Sequence, residues 1–267
     1  MKALILAGVL VVAVWVFHRP QAPGPQDSLP GGITVTVLFD NLQADDRLQT
    51  GWGFAALVET PEHTVLFDTG ADGEILLENM RLMGKDPLAI EALIISHAHG
   101  DHTGGLQALL DLGINPRIYL LEAFPAPMRQ ALASSQETVL SADGEEIVPG
   151  IRTTGQVGTQ IPEQAVVLEA AVGPVLLTGC AHPGILEMVG KAEEVAGEPI
   201  HTVLGGFHLM AAEGAVIQEV VEGFLNKGIV VAGPTHCSGL VTMTAFQGAY
   251  GENFQRLGVG RVLKLPM

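Results

Sequence analysis

The sequence predicts a layered α/β fold, and three observations predict it. Short apolar segments alternate with amphipathic helical patterns along most of the chain, an order that buries sheets beneath helices. The 267 residues are 48% apolar, enough for one large core or two small ones. The side chains able to do chemistry gather where apolar segments run into glycine-rich turns, where such folds carry their sites.

Residues 33–39 alternate β-branched and apolar side chains, residues 53–59 do so less strictly, and residues 64–67 form a short apolar run; these read as successive strands. Asp68-Thr69-Gly70 closes the third, either as an Asx turn or as part of a site. Residues 73–83 place Ile75, Leu76, Met80 and Leu82 at helical spacing. Residues 92–95 read as a strand, a helical stretch opens at His102 and runs to Leu112, and residues 118–121 read as another strand. Residues 122–154 look irregular apart from a short helix at 128–133.

In the second half, strands at 165–169 and 174–177 lead into Gly179-Cys180-Ala181-His182-Pro183-Gly184. Pro183 suits a first helical turn, where its missing N–H costs nothing, and Ile185, Met188, Val189 and Ala192 give that helix an apolar face. Strands at 202–204 and 229–232 lead into Gly205-Gly206-Phe207-His208-Leu209 and Pro234-Thr235-His236-Cys237-Ser238-Gly239, with an amphipathic helix at 217–225 between them. The halves share an organisation without repeating residues.

Thirteen basic against 29 acidic residues give a net charge of −16. No basic run interrupts this, so nucleic acid is excluded as a partner and a small-molecule substrate is expected. At the N-terminus, Met1-Lys2 precedes the apolar residues 3–17, followed by His18-Arg19-Pro20. Residues 1–20 therefore read as a signal peptide or membrane anchor, residues 21–32 as a Pro/Gly-rich linker and residues 33–267 as the folded domain. The expectation is an exported protein, or one tethered to a membrane through residues 3–17. Oligomeric state leaves no trace in the sequence. Cys180 and Cys237 could pair as a disulfide in an oxidising compartment; since each stands beside a histidine motif, they could equally be thiols lining a site.

The most informative stretch is His97-Ala98-His99-Gly100-Asp101-His102, four metal-capable side chains in six residues directly after a strand. Extended backbone sends His97, His99 and Asp101 to one side, and Gly100 permits the tight turn. A polar strand-to-helix turn would not call for three of the chain's nine histidines. Imidazole suits zinc, iron or manganese, and a carboxylate suits any of them. No histidine occurs between His102 and His182, so a second ion must draw on His182, His208 or His236. His63 and His201 precede strands, and with His18 they read as structural or exposed.

His-x-His-x-Asp-His after an apolar strand resembles the signature of the metallo-β-lactamase superfamily. That resemblance implies a four-layer αββα sandwich with a mono- or dinuclear site at its mouth. Phe39-Asp40-Asn41, Leu66-Phe67-Asp68-Thr69-Gly70, Gly179-Cys180-Ala181-His182-Pro183-Gly184, Gly205-Gly206-Phe207-His208-Leu209 and Thr235-His236-Cys237-Ser238-Gly239 occur in the order seen in one branch. It is the branch similar to 7,8-dihydropterin-6-methyl-4-(β-D-ribofuranosyl)-aminobenzene-5′-phosphate synthase. By this resemblance two divalent ions are the cofactors, zinc foremost, with iron, manganese or magnesium as alternatives. His97 and His99 would serve one ion, Asp101, His102 and His236 the other, with His182 the remaining ligand.

The chain departs from the superfamily pattern where a bridging aspartate would end the strand at 174–179. Cys180 stands there, and the loop before that sheet offers only Pro162-Glu163-Gln164. Either Cys180 bridges the ions or water does. Asp68 is expected to orient a ligating ring rather than to ligate. His208 is expected to contact substrate or support the ligands.

A bound divalent cation lowers the pKa of its water to about 7, which supplies a nucleophile without serine or cysteine, and Asp101 is placed to relay a proton. The expected activity is therefore hydrolysis of a small ester, lactone, thioester or phosphate-bearing molecule. The alternatives are the pterin transferase of the branch name, or a non-catalytic metal or redox module built on the cysteines. Export argues against the transferase, whose intermediates are cytoplasmic.

Overall fold

The computed structural model describes residues 31–266. Thirteen strands form two sheets. The first comprises β1 (Gly32–Phe39), β2 (Ala55–Glu59), β3 (Thr64–Phe67), β4 (Ala92–Ile94), β5 (Arg117–Leu120), β6 (Thr138–Leu140) and β13 (Val262–Pro266), in the order β13-β1-β2-β3-β4-β5-β6. The second comprises β7 (Asp143–Val148), β8 (Ile151–Gly155), β9 (Val166–Leu168), β10 (Val175–Thr178), β11 (Thr202–Gly206) and β12 (Val231–Thr235), in the order β12-β11-β10-β9-β8-β7. Strands β3 to β6 run parallel, as do β10 to β12.

The central strands of both sheets are buried on both faces, because successive apolar side chains point to opposite sides of the sheet. Val65 and Phe67 of β3 meet Val175 and Leu177 of β10 in the core between the sheets, along with Ile94, Val166 and Leu168. Leu66 points the other way, into a core shared with Leu76 and Met80 of α1 (Gly73–Leu82) and Leu109 of α3 (Leu106–Asp111). Leu176 likewise faces Met188 and Val189 of α5 (Ile185–Ala196), in the core that holds Phe224 of α6 (Gly214–Asn226) and Phe246 of α7 (Leu240–Tyr250). Helices, sheet, sheet and helices make the expected αββα sandwich. Gln164 ties its sheets together: its amide donates to Ile95 O and Tyr119 O in the first and accepts from Thr153 Oγ1 in the second.

The structure departs from the sequence reading in four places. The helix from His102 to Leu112 is two pieces, α2 (Gly100–Thr103) and α3, broken at Gly104-Gly105. A Cβ at Gly104 would lie 2.2 Å from Ala71 O and one at Gly105 2.3 Å from Thr69 O, so this glycine pair lets the 68–71 loop dock. The irregular stretch contains α4 (Ala126–Ala133) and strands β6, β7 and β8. β7 reads DGEEIV and buries only Ile147, so pairing with β8 holds it without an apolar alternation to announce it. α7 exposes Leu240 and Val241, which blurs its amphipathic pattern. β13 is an edge strand paired to β1.

The expectation of export or a membrane tether is corrected. Residues 1–20 and most of the 21–32 linker lie outside the described residues. Among the described residues no helix is long and apolar enough to cross a membrane; α6, with 13 residues, falls short of the roughly 20 that a span needs.

Candidate metal centre

The C-terminal ends of the two parallel strand runs meet at one rim of the sandwich, where the candidate centre is built from the turns that follow the strands and from α2, which carries Asp101 and His102. β3 delivers Asp68, β4 delivers Ser96 and His97, β10 delivers Cys180 and His182, β11 delivers His208 and β12 delivers His236. Among the described residues, the non-glycine positions with left-handed backbone are Asp68 (φ 57°), Ala181 (φ 62°), His208 (φ 52°) and His236 (φ 50°), all in these turns. Backbone of this kind persists only where its surroundings impose it, and it clusters at functional sites.

The 68–71 loop and α2 are stitched together by Thr69 N–H and Oγ1–H, each donating to His102 O at 2.9 Å, and by Gly104 N–H donating to Gly70 O. Asp68 is fully buried beneath them. Its Oδ1 accepts from Ser96 N–H (2.7 Å), and its Oδ2 from Ser96 Oγ–H (2.7 Å) and His102 Nδ1 (2.6 Å). Asp68 thus contacts the Nδ1 side of the His102 ring and leaves its Nε2 side to the rim.

These bonds fix which ring nitrogens are free. His102 Nδ1 gives its proton to Asp68, leaving Nε2 bare. Ser96 Oγ spends its own proton on Asp68, so it accepts from His97 Nδ1 at 2.9 Å, and His97 Nε2 is bare too. His236 Nδ1 faces Asn41 Oδ1 at 3.0 Å, which frees its Nε2. The freed atoms converge: His97 Nε2 lies 3.0 Å from His99 Nδ1, His102 Nε2 3.3 Å from Cys180 Sγ, and His236 Nε2 3.4 Å from Asp101 Oδ2 without an aligned hydrogen bond. His182 Nε2 and His236 Nε2 are buried with no hydrogen-bond partner. A buried, unpartnered lone pair is costly, and a cation is what would satisfy it.

Among the described residues, two of the donor sets with ligand atoms within 4.8 Å of one another are Asp101, His102, Cys180 and His236, and His97, Cys180 and His182. His99 sits beside the second through His97. Cys180 belongs to both, which places its sulfur where a bridging ligand would stand. The thiols of Cys180 and Cys237 are free rather than joined.

Three of the rings are tuned for cation binding, whereas at His236 burial is outweighed by the neighbouring Asp101 and Cys237, which push the ring up. Burial drives His97 down to about 2, His102 to about 3 and His182 to about 4, so all three rings are neutral at pH 7, as ligation requires. Burial pushes the Asp68 carboxyl up to about 8, so without a cation it keeps a proton at pH 7; the ring tautomers above are those of its ionised form, which a cation on His102 would favour. Burial also pushes Asp101 up, but the His236 and His102 rings outweigh it and hold that carboxyl well below its usual range. Cys237 is held at about 6, because hydrogen bonds from Cys180 and His208 overcome its burial.

Sequence reading missed the residue that shapes the second loop. Glu163 is fully buried; its Oε1 accepts from Cys180 N–H (2.7 Å) and Ala181 N–H (2.8 Å), its Oε2 from His182 N–H (2.9 Å). The 162–164 loop offers no ligand because it offers a brace. Its one signal was a lone carboxylate directly before a fully apolar strand. Of the remaining histidines, His63 pairs with Glu91 at the surface and His201 bonds Thr202 Oγ1, both apart from the donor sets, while His18 lies outside the described residues.

The sequence profile of the metallo-β-lactamase superfamily matches residues 53–246, which spans the rim from β2 to α7. The chain belongs to this superfamily. As a superfamily member it is 27% identical to the 7,8-dihydropterin-6-methyl-4-(β-D-ribofuranosyl)-aminobenzene-5′-phosphate synthase of Methanocaldococcus jannaschii, over 81% of this chain and 90% of that protein. Among solved metallo-β-lactamase folds it resembles Tm1679, a metal-dependent hydrolase of the superfamily, with a TM-score of 0.75 and 25% identity over 88% of this chain and all of that one. The fold alone is shared with YhfI of Bacillus subtilis, at a TM-score of 0.64 and 17% identity over 88% of this chain and 99% of that one.

Proposed function

We propose that this protein is a metal-dependent hydrolase that opens an ester, lactone, thioester or phosphoester bond in a small molecule. The observation that carries this reading is the convergence of bare ring nitrogens with two of them, His182 Nε2 and His236 Nε2, buried and unpartnered. His97, His99 and His182 would hold one divalent ion, Asp101, His102 and His236 the other, with Cys180 between them. Zinc suits this mixture of imidazole, thiol and carboxylate best, with iron, manganese and magnesium as alternatives. Such ions supply Lewis acidity and acidify a coordinated water to a pKa of about 7.

The chain's own residues do the rest. Asp68, Ser96 and Asn41 hold protons on the Nδ1 atoms of His102, His97 and His236, so the opposite nitrogens stay available. Glu163 fixes the Cys180–His182 loop by three backbone bonds. Asp101, partly open to solvent beside His236 and held as a carboxylate, is positioned to accept a proton from an attacking water and relay it to a leaving group. Trp52, half exposed with its ring 4.8 Å from that of His236, offers an apolar surface to the non-reacting part of a substrate. The net charge of −16 argues against nucleic acid as that substrate.

The relative from Methanocaldococcus jannaschii favours a second reading, synthesis of a dihydropterin–ribofuranosylaminobenzene phosphate on the same centre. The argument from export no longer opposes it. Two measurements decide. Zinc-replete protein should hold no fewer than two equivalents, and one fewer after His182→Ala; a count of one in both overturns the two-ion reading. A panel of carboxyl, thio- and phosphoesters should then yield turnover; inertness toward all of it, with product formed from the pterin and aminobenzene precursors, replaces hydrolase by synthase.

A further inference from the structure

Two potential ligands at the rim are left over by the two-ion centre. Cys237 Sγ and a ring nitrogen of His208 lie, together with Cys180 Sγ, within 4.8 Å of one another, a third donor set. In a tetrahedral zinc site, bond lengths of about 2.3 Å to sulfur and 2.0–2.1 Å to nitrogen put ligand atoms roughly 3.5–3.8 Å apart, so these three are already near their places.

Two independent features bring them there. Cys237 and Cys180 leave different strands, and their approach depends on Gly206. A Cβ at that position would lie 2.7 Å from Cys237 Sγ, 3.1 Å from Cys180 Cα and 2.2 Å from Gly179 O. Cys237 Sγ lies 3.5 Å from Cys180 O, and both cysteines are buried. His208 is exposed, yet its backbone is left-handed like that of Asp68, Ala181 and His236. Its ring packs 4.1 Å from the His182 ring. Left-handed backbone at a non-glycine residue is uncommon, and histidine is one of the few types that adopts it, so His208 holds this turn without glycine and keeps a side chain there.

We propose that Cys180, His208 and Cys237 form a third metal position, selective for a thiophilic divalent ion such as zinc or cadmium over manganese or magnesium. This rests on the metal-centre reading only in that Cys180 is shared. Thiolate sulfur selects soft ions, whereas oxygen donors suit manganese and magnesium. Each thiol that ligates releases its proton to solvent, so loading is accompanied by acid release. Three protein ligands leave a fourth position open, on the side marked by the exposed His208.

The test uses the full chain, stripped by a chelator and loaded separately with cadmium or manganese. Bound metal is counted after desalting, and thiolate-to-cadmium charge transfer is read in the near ultraviolet. The wild type should bind one more equivalent of cadmium than of manganese. His208→Asn, which tolerates left-handed backbone, and Cys237→Ser should each lose that extra equivalent, the second with a weaker charge-transfer band. His208 is exposed, so His208→Asn remains decisive should Cys237→Ser fail to fold.

No cadmium surplus in the wild type, or a surplus that His208→Asn retains, overturns the proposal. Asp101→Asn separates it from the two-ion reading. That variant should lose an equivalent while keeping the cadmium surplus. If Asp101→Asn loses nothing, the two-ion reading fails and the third position stands on its own surplus; if Asp101→Asn loses an equivalent where no surplus exists, only the third position fails.

Discussion

Replacing Glu163 tests whether the second ligand loop is held from behind. Its carboxylate accepts three backbone N–H groups, from Cys180, Ala181 and His182, at 2.7, 2.8 and 2.9 Å, and is fully buried. Glu163→Ala would strand all three donors at about 1–3 kcal/mol each, a sum comparable with a typical domain's whole stability of about 5–15 kcal/mol. That variant should fail to fold or fold poorly. Glu163→Gln is the informative change. Its carbonyl can keep the bonds to Cys180 and Ala181, but its NH2 group faces the His182 N–H, donor against donor. Losing one bond to a charged acceptor costs about 1.5–3 kcal/mol. Ala181, at φ 62°, then relaxes, and His182 moves with it. Urea unfolding should show that loss of stability, and competition against a zinc chelator should show affinity weakened by about 10- to 100-fold, the usual effect of removing a group that orients a ligand. A Glu163→Gln protein that matches wild type in affinity refutes the bracing argument, whatever its stability.

Asp101→Ala should leave the fold intact, because the side chain is partly exposed on a turn, and should reduce turnover at least ~10²-fold in whichever reaction is found; near-normal kinetics with metal bound would make it a turn residue only. Gly205→Ala would place a Cβ 2.1 Å from Thr178 O at φ +114°, so it should lower the unfolding free energy read from urea by about 1–3 kcal/mol, whereas Gly113→Ala, with open space around it, should cost less; equal stabilities would contradict the close β10–β11 approach. Acid should destabilise the metal-free protein. Between about pH 4 and 6 the unfolded chain binds protons that native His97, His102 and His182 (about 2, 3 and 4) refuse, while native Asp40 and Asp68 (about 6 and 8) keep protons that the unfolded chain has released. Three against two leaves the unfolded state about one proton ahead, so stability falls by up to about 1.4 kcal/mol per pH unit on acidification. Urea midpoints at pH 6 and pH 4 in chelator check the sign, and a flat or rising value would refute it.

The sequence by itself determined the layering and the His97–His102 cluster. Val65, Leu66 and Phe67, or Val175, Leu176 and Leu177, each supply both faces of a strand locally, so periodicity exposes them. His97, His99, Asp101 and His102 are neighbours along the chain and need only one turn to converge. β7 and α7 were not legible, because an acidic edge strand and a helix with exposed Leu240 and Val241 carry no clean apolar period; β13, whose Leu263 and Leu265 alternate onto the core, is too short to stand out without its pairing to β1. Nor could sequence place Cys180. Its position is decided by the meeting of β3, β4, β10 and β12 at one rim, which brings its sulfur to 3.3 Å from His102 Nε2, 78 residues away along the chain. Glu163 was invisible for the same physical reason: a carboxylate's acceptors are short-ranged, and the three N–H groups it satisfies come within reach only when two loops, 17 to 19 residues apart, fold against each other.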